Sequence, residues 1–207
     1  MGYVGLLSPA LVVEACPASL PDPTKLQAIL LTSTNAIPAL SAKFHHLPTF
    51  AVGAATAAAA RVAGFATVIN AAGTATDLMA CVAAHCDPKA GSLLCPGAAA
   101  LAADIVEPLR TLGFRIVRRV VYRTRPARHW NADVDAALRA GMIGYVLFFS
   151  PASARAFVAL SRLLPPPHSM VALAISATTA QALTPLQWQR IRVASRPNQD
   201  ELLALLP

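Results

Sequence analysis

Three sets of side chains in this sequence have the chemistry to hold or transform a ligand. The first is basic: Arg110, Arg115, Arg118, Arg119, Arg123, Arg125 and Arg128 fall within one stretch of a chain whose formal net charge is +7, and such a concentration attracts anions. The same run also reads as a solvated strand face. As a nucleic-acid surface it offers only Tyr122 and Trp130 for stacking and matches no recognition motif, so no nucleic-acid partner is expected. The second set is Thr32, Ser33, Thr56, Ser150, Ser153, Thr178 and Thr179, which stand where apolar runs give way to helical patterns. A hydroxyl there caps a helix, and the helix N-terminus beside it offers unpaired N–H groups and a positive dipole end to an anion. The third set is Cys81, His85 and Cys86, conceivable metal ligands that lack a second ligand cluster.

Other chemistries find little support. The four cysteines form no CxxC pair and, in 207 residues, no disulfide framework, which fits a reducing cytoplasm. His45, His46, His85, His129 and His168 enter no Ser/His/Asp or paired-ligand arrangement, and no metal is expected. Gly53 and Gly73 stand singly, outside any glycine-rich phosphate-binding motif, so nucleotide chemistry is not expected.

The elements that must position these groups alternate. Hydrophobic residues make up 56% and charged residues 13% of the chain, enough apolar material for real cores and too little charge for disorder. No apolar run reaches the roughly 18 residues of a membrane span; the best, at 50–60, is closed by Arg61. The apolar N-terminus has no preceding Lys or Arg and is interrupted by Glu14, so it reads as a buried strand rather than a signal peptide. Strands are expected at 4–14, 28–32, 49–52, 66–69, 92–95, 114–124, 145–149, 170–175 and 191–194. Helices are expected at 35–46, 56–64, 74–85, 99–112, 133–140, 151–163, 178–183 and 199–206. Pro165, Pro166 and Pro167 predict a stiff loop. Strands and helices taking turns make the class α/β with parallel sheets.

An internal repeat organises these elements. LLTSTNAIPAL from Leu30 resembles LFFSPASARAF from Leu147, matching Ser33 to Ser150. FAVGAATAAAA from Phe50 resembles LAISATTAQAL from Leu173, matching Gly53 to Ser176 and Thr56 to Thr179. The same frame sets Gly2 against Gly113, each expected to enter a strand. Before Gly113 the second half has a strand and a helix, and the frame leads one to expect such a unit before Gly2, where none is written. Recurrence of the hydroxyls in both halves favours binding for the set, although capping alone accounts for any one of them.

Several stretches taken in order resemble the uroporphyrinogen-III synthase family: TSTNA at 32–36, VGAAT at 52–56, GTATDL at 73–78, VVYRT at 120–124, FFSPAS at 148–153 and AISATTAQAL at 174–183. The resemblance implies two flavodoxin-like lobes with parallel sheets, joined by a two-stranded linker. Carried over, the middle lobe is 12–121 and the terminal lobe is 1–11 with 122–207, the latter short of its first strand and helix. It implies an enzyme of heme biosynthesis, a lyase that cyclises hydroxymethylbilane to uroporphyrinogen III in its cleft, with loss of water and inversion of the last pyrrole ring. No cofactor is implied. Tyr122 matches the family's tyrosine and is the candidate proton donor; a tyrosine packed beneath the linker fits its spacing equally. The junction hydroxyls become candidate carboxylate binders, and the basic run a field that draws in a polycarboxylate. A cytoplasmic protein with no membrane partner follows, in transient contact with the preceding pathway enzyme.

The sequence departs from the family at 100–103, where a basic residue often follows the position of Gly97; at Ser176, where glycine is usual; and at Met170, where some relatives are basic. A non-catalytic two-lobed anion binder and an inactive truncated relative are the competing readings. If a central strand is missing from the terminal lobe, backbone partners and core are lost with it. A chain extended upstream by a strand–helix unit is therefore expected to melt higher than this one; equal, cooperative melts would refute the missing unit.

Overall fold

The structure, a computed structural model, describes residues 2–71, 73–99, 104–163 and 167–207. Its strands are β1 (Leu11–Ala15), β2 (Leu26–Leu31), β3 (Thr49–Ala51), β4 (Val68–Asn70), β5 (Ser92–Ala98), β6 (Ile116–Pro126), β7 (Tyr145–Phe148), β8 (Val171–Ala174) and β9 (Arg190–Val193). Its α-helices are α1 (Ala54–Val62), α2 (Ala75–His85), α3 (Val106–Thr111), α4 (Ala132–Arg139), α5 (Pro151–Leu160), α6 (Ala177–Gln181) and α7 (Gln199–Leu203). The chain divides into two compact units, Val13–Thr124, and Met1–Val12 with Arg125–Pro207.

In the first unit six strands form one sheet in the order β1-β6-β5-β2-β3-β4. β6, β5, β2, β3 and β4 run parallel. β2 is the centre: Ala28 and Leu30 join one core with Leu78, Val82, Leu93, Cys95, Ile105 and Leu109. Ile29 and Leu31 face the other way, into a core with Phe44, Ala60, Leu94 and Val121. A parallel strand covered on both faces must be apolar at successive positions, which is why AILL reads as an unbroken run. β1 lies at the edge. Cys16 N–H donates to the Val121 carbonyl at 2.8 Å and Ala127 N–H to the Ala10 carbonyl at 2.9 Å. As numbers rise on one strand they fall on the other, so β1 is antiparallel to β6.

In the second unit β7, β8 and β9 form a parallel sheet in that order. Ala172 and Ala174 face a core with Phe148, Phe157 and Leu183, and Leu173 faces Ala194 and Leu202 on the other side. Small alanines on β8 make room for aromatic rings: Phe148 meets Phe157 edge-on at 5.2 Å and Trp188 at 5.8 Å. β7 matches β2 in the internal repeat, yet among the described residues β2 has strands on both sides and β7 only β8.

Several elements differ from the sequence expectation. Residues 4–10 form no strand: the first strand begins at Leu11, while Val4 and Leu7 are almost wholly exposed. The matching of Gly2 to Gly113 as paired strand entries is thereby corrected. The helix expected at 35–46 is two 3-10 turns, Thr34–Ala39 and Ala42–Phe44, because Pro38 lies inside it and cannot donate an N–H. Of the helix expected at 99–112 the described part is α3, whose Val106 N–H is held by the Asp104 carboxylate at 2.9 Å. Residues 100–103, Pro165 and Pro166 lie outside the described residues.

The entry to β5 depends on a close approach. A Cβ placed on Gly91 would lie 2.8 Å from the Gln27 nitrogen and 2.9 Å from the Leu26 carbonyl carbon, both backbone atoms at the start of β2. Gln27 locks the same spot, its amide donating to the Gly91 carbonyl at 2.6 Å. Gly91→Ala must push β5 off β2, and we expect it to destabilise the protein by about 1–3 kcal/mol, measured by urea unfolding.

Candidate functional site

On an open parallel sheet, ligands bind beyond the carboxyl ends of the strands, where connections leave in opposite directions. In the first unit that point is the β2/β5 pair, since the chain leaves β2 for β3 on one side and β5 for β6 on the other. Thr32 and Ser33 follow β2, and Gly53 leads from β3 into α1. In the second unit Ser150 follows β7 and Ser176 follows β8.

These junction hydroxyls are engaged locally. Ser33 accepts from Asn35 N–H at 3.2 Å, Ser150 from Ser153 N–H at 3.1 Å and Ser176 from Thr179 N–H at 3.3 Å. Ser153 Oγ donates to the Ser150 carbonyl at 2.8 Å. Ser176 therefore acts as a helix cap. Thr56 and Thr179 are both buried at the third position of α1 and α6, the equivalence the repeat requires, and Thr179 Oγ1 lies 3.0 Å from Ser176 Oγ. Thr178 is exposed and Thr32 half-buried.

The four junctions differ in what they offer an anion. Those at Ser33 and Ser176 open a 6-residue 3-10 segment and a 5-residue helix, whereas α1 and α5 run for 9 and 10 residues and align enough peptide dipoles to matter. α5 is capped by Ser150, but α1 starts on Gly53 without a side-chain cap, which leaves its first-turn N–H groups available. In the sequence the only signal of Gly53 as a binding element is an apolar run ending in glycine where the second half has serine.

Tyr122 lies on β6, 8% exposed, in the core with Ile29, Leu31 and Val121. Its hydroxyl has no hydrogen-bond partner among the described residues. The phenol ring is thus packed, and its proton is not committed.

The basic run is largely engaged in structure. Arg118 donates to the carbonyls of Ala98 and Ala99 at 2.8 and 2.9 Å, Arg119 to Ser19 at 2.9 Å, and Arg115 to Ala90. Arg123 pairs with Glu14 at 3.0 Å, and Arg110 with Glu107. Among the cysteines, all four of which are free, burial pushes the thiols of Cys86 and Cys95 up to about 11, so neither is a nucleophile at neutral pH. His85 Nδ1 lies 2.8 Å from the Cys81 carbonyl oxygen. No cluster of three or more His, Cys, Asp or Glu that could hold a metal ion occurs among the described residues. No helix among them is long and apolar enough to cross a membrane.

The family model for uroporphyrinogen-III synthase HemD matches residues 1–204. The chain belongs to the uroporphyrinogen-III synthase family. Among solved structures it is similar to the uroporphyrinogen-III synthetase of Helicobacter pylori 26695, at 20% identity, over 95% of this chain and 89% of that chain, with a TM-score of 0.69. It is also similar to a mutant uroporphyrinogen III synthase from the extremely thermophilic bacterium Thermus thermophilus, at 19% identity, over 96% of this chain and 86% of that chain, with a TM-score of 0.45. The first of these likenesses shows the same two-lobed α/β fold. No curated protein shows a significant match.

The caps make a separable prediction for this uroporphyrinogen-III synthase family member. Ser150→Ala removes the acceptor for Ser153 N–H and is expected to cost about 1 kcal/mol. An unchanged urea midpoint would free that hydroxyl from a capping role.

Proposed function

We propose that this chain cyclises hydroxymethylbilane to uroporphyrinogen III, with Tyr122 as proton donor and the junction turns as carboxylate binders. The observation that carries the reading is the family match over residues 1–204. The substrate is a linear chain of four pyrroles with eight carboxylates. Its terminal hydroxyl leaves as water once protonated, giving an azafulvene cation. That carbon alkylates the substituted position of the last ring to form a spiro intermediate, and fragmentation with reclosure inverts the ring. The change is a dehydration with no net redox step and needs no cofactor.

Three demands follow: a proton donor for the departing hydroxyl, anchors for the carboxylates, and a shape that steers attack. A phenol keeps its proton near pH 7 and can give it up in a hydrogen bond. Tyr122 suits the role because its ring is fixed by Ile29, Leu31 and Val121 while its hydroxyl is uncommitted. The uncapped first turn of α1, with Thr56, and the first turn of α5, with Ser150 and Ser153, supply N–H groups for carboxylates. Thr32, Ser33, Thr178 and Thr179 complete the set of proposed contacts. The +7 net charge draws in a polyanion at long range even where individual arginines are paired locally. Four free cysteines fit a reducing cytoplasm, where transient contact with the enzyme that releases the bilane would limit its spontaneous closure.

The test is incubation with freshly generated hydroxymethylbilane, followed by separation of the type I and type III isomers. We expect type III from the wild-type chain and at least ~100-fold slower formation from Tyr122→Phe. Type I alone from the wild type would reduce the protein to a binder, and wild-type turnover in Tyr122→Phe would reassign the tyrosine to packing.

A further inference from the structure

Tyr122 should not be where it is. Successive side chains on a strand point to opposite faces, and β6 begins by obeying: Ile116 packs in one core and Val117 against the other. Odd positions thus share the face of Val121, and Tyr122 belongs on the opposite one. Instead Val121 and Tyr122 pack in the same core.

The cause is an extra residue. Pairing with β5 runs in step from Leu93↔Ile116 to Gly97↔Val120, then jumps to Ala98↔Tyr122. β5 itself stays regular, with Leu93 and Cys95 on one face and Leu94 and Ala98 on the other. The irregularity therefore sits in β6, where a bulge at Val121 turns the tyrosine over.

A bulge interrupts the ladder and leaves backbone groups in need of partners. Arg118 stands just below it, opposite Cys95, on the face away from Tyr122. Its guanidinium reaches along the strand to the Ala98 carbonyl at 2.8 Å and the Ala99 carbonyl at 2.9 Å. Ala98 is the residue paired with Tyr122 across the bulge.

We propose that Arg118 is a positioning residue for Tyr122: by holding the Ala98 and Ala99 carbonyls it fixes the bulge that turns the tyrosine onto the Val121 face. The inference rests on Tyr122 being the proton donor.

The test is a double-mutant cycle on the full chain, read as kcat, KM and the type III to type I ratio. Arg118→Met is expected to lower kcat by about tenfold or more, with KM changed less than about twofold and type I product increased. Arg118→Lys, which keeps one donor group, is expected to recover part of the rate and carries the test if the Met variant does not melt cooperatively. In a Tyr122→Phe background the Arg118 substitution is expected to cost nothing further. Full additivity of the two losses, or a raised KM at unchanged kcat, would overturn the proposal. Wild-type turnover in Tyr122→Phe alone would instead remove the reading on which it rests.

Discussion

The pairing of β5 with β6 is the constraint on which the candidate site depends. β5 is buried at five successive positions, Leu93 to Gly97, and cannot shift without exposing both cores. β6 must follow it in register and yet continue past it, as an 11-residue strand that leaves the first unit at Thr124. The extra residue at Val121 reconciles these demands. It ends the strict ladder and changes the face on which the next side chain is presented.

Charge is organised around the same strand. A cluster of arginines in a basic chain invites an electrostatic reading, but their guanidinium groups mostly satisfy the hydrogen-bonding needs of neighbouring backbone. Ala90, Ala98, Ala99 and Ser19 each present a carbonyl that an arginine from this stretch satisfies. Arg123 and Glu14 join β6 to its antiparallel neighbour β1. An exposed pair of that kind is worth little in energy, and its geometric role is register. The net positive field survives, because pairing with neutral carbonyls does not cancel charge.

The two halves of the repeat solve one problem with different residues. Each needs a turn from strand end to helix start at two places. Ser33 and Ser150 both cap the first, Ser33 on Asn35 N–H into a 3-10 segment and Ser150 on Ser153 N–H into α5; at the second, Ser176 supplies a side-chain acceptor where Gly53 supplies none. The consequence is an asymmetry in what each junction has left for a ligand: α1 is long and uncapped, α6 short and capped. Thr56 and Thr179 are buried at matching positions in the two turns.

Much of this was legible in the sequence because it is local or periodic. Unbroken apolar runs such as Ala28–Leu31 require strands covered on both faces, Ser and Thr before helical patterns require caps, and repeated spacing requires repeated units. Short ordered motifs sufficed to indicate the family. What the sequence did not reveal depends on pairing between distant segments. Nothing in Val120–Val121–Tyr122 marks a bulge, since the extra residue exists only relative to β5, more than twenty residues earlier. Arg118 looked like one charge in a run because its partners are carbonyls, which every residue has and no sequence distinguishes. The apolar opening segment read as a strand, but a strand needs a neighbour's backbone, and among the described residues the first such partner is the Ala127 N–H on the Ala10 carbonyl, just before β1 begins at Leu11.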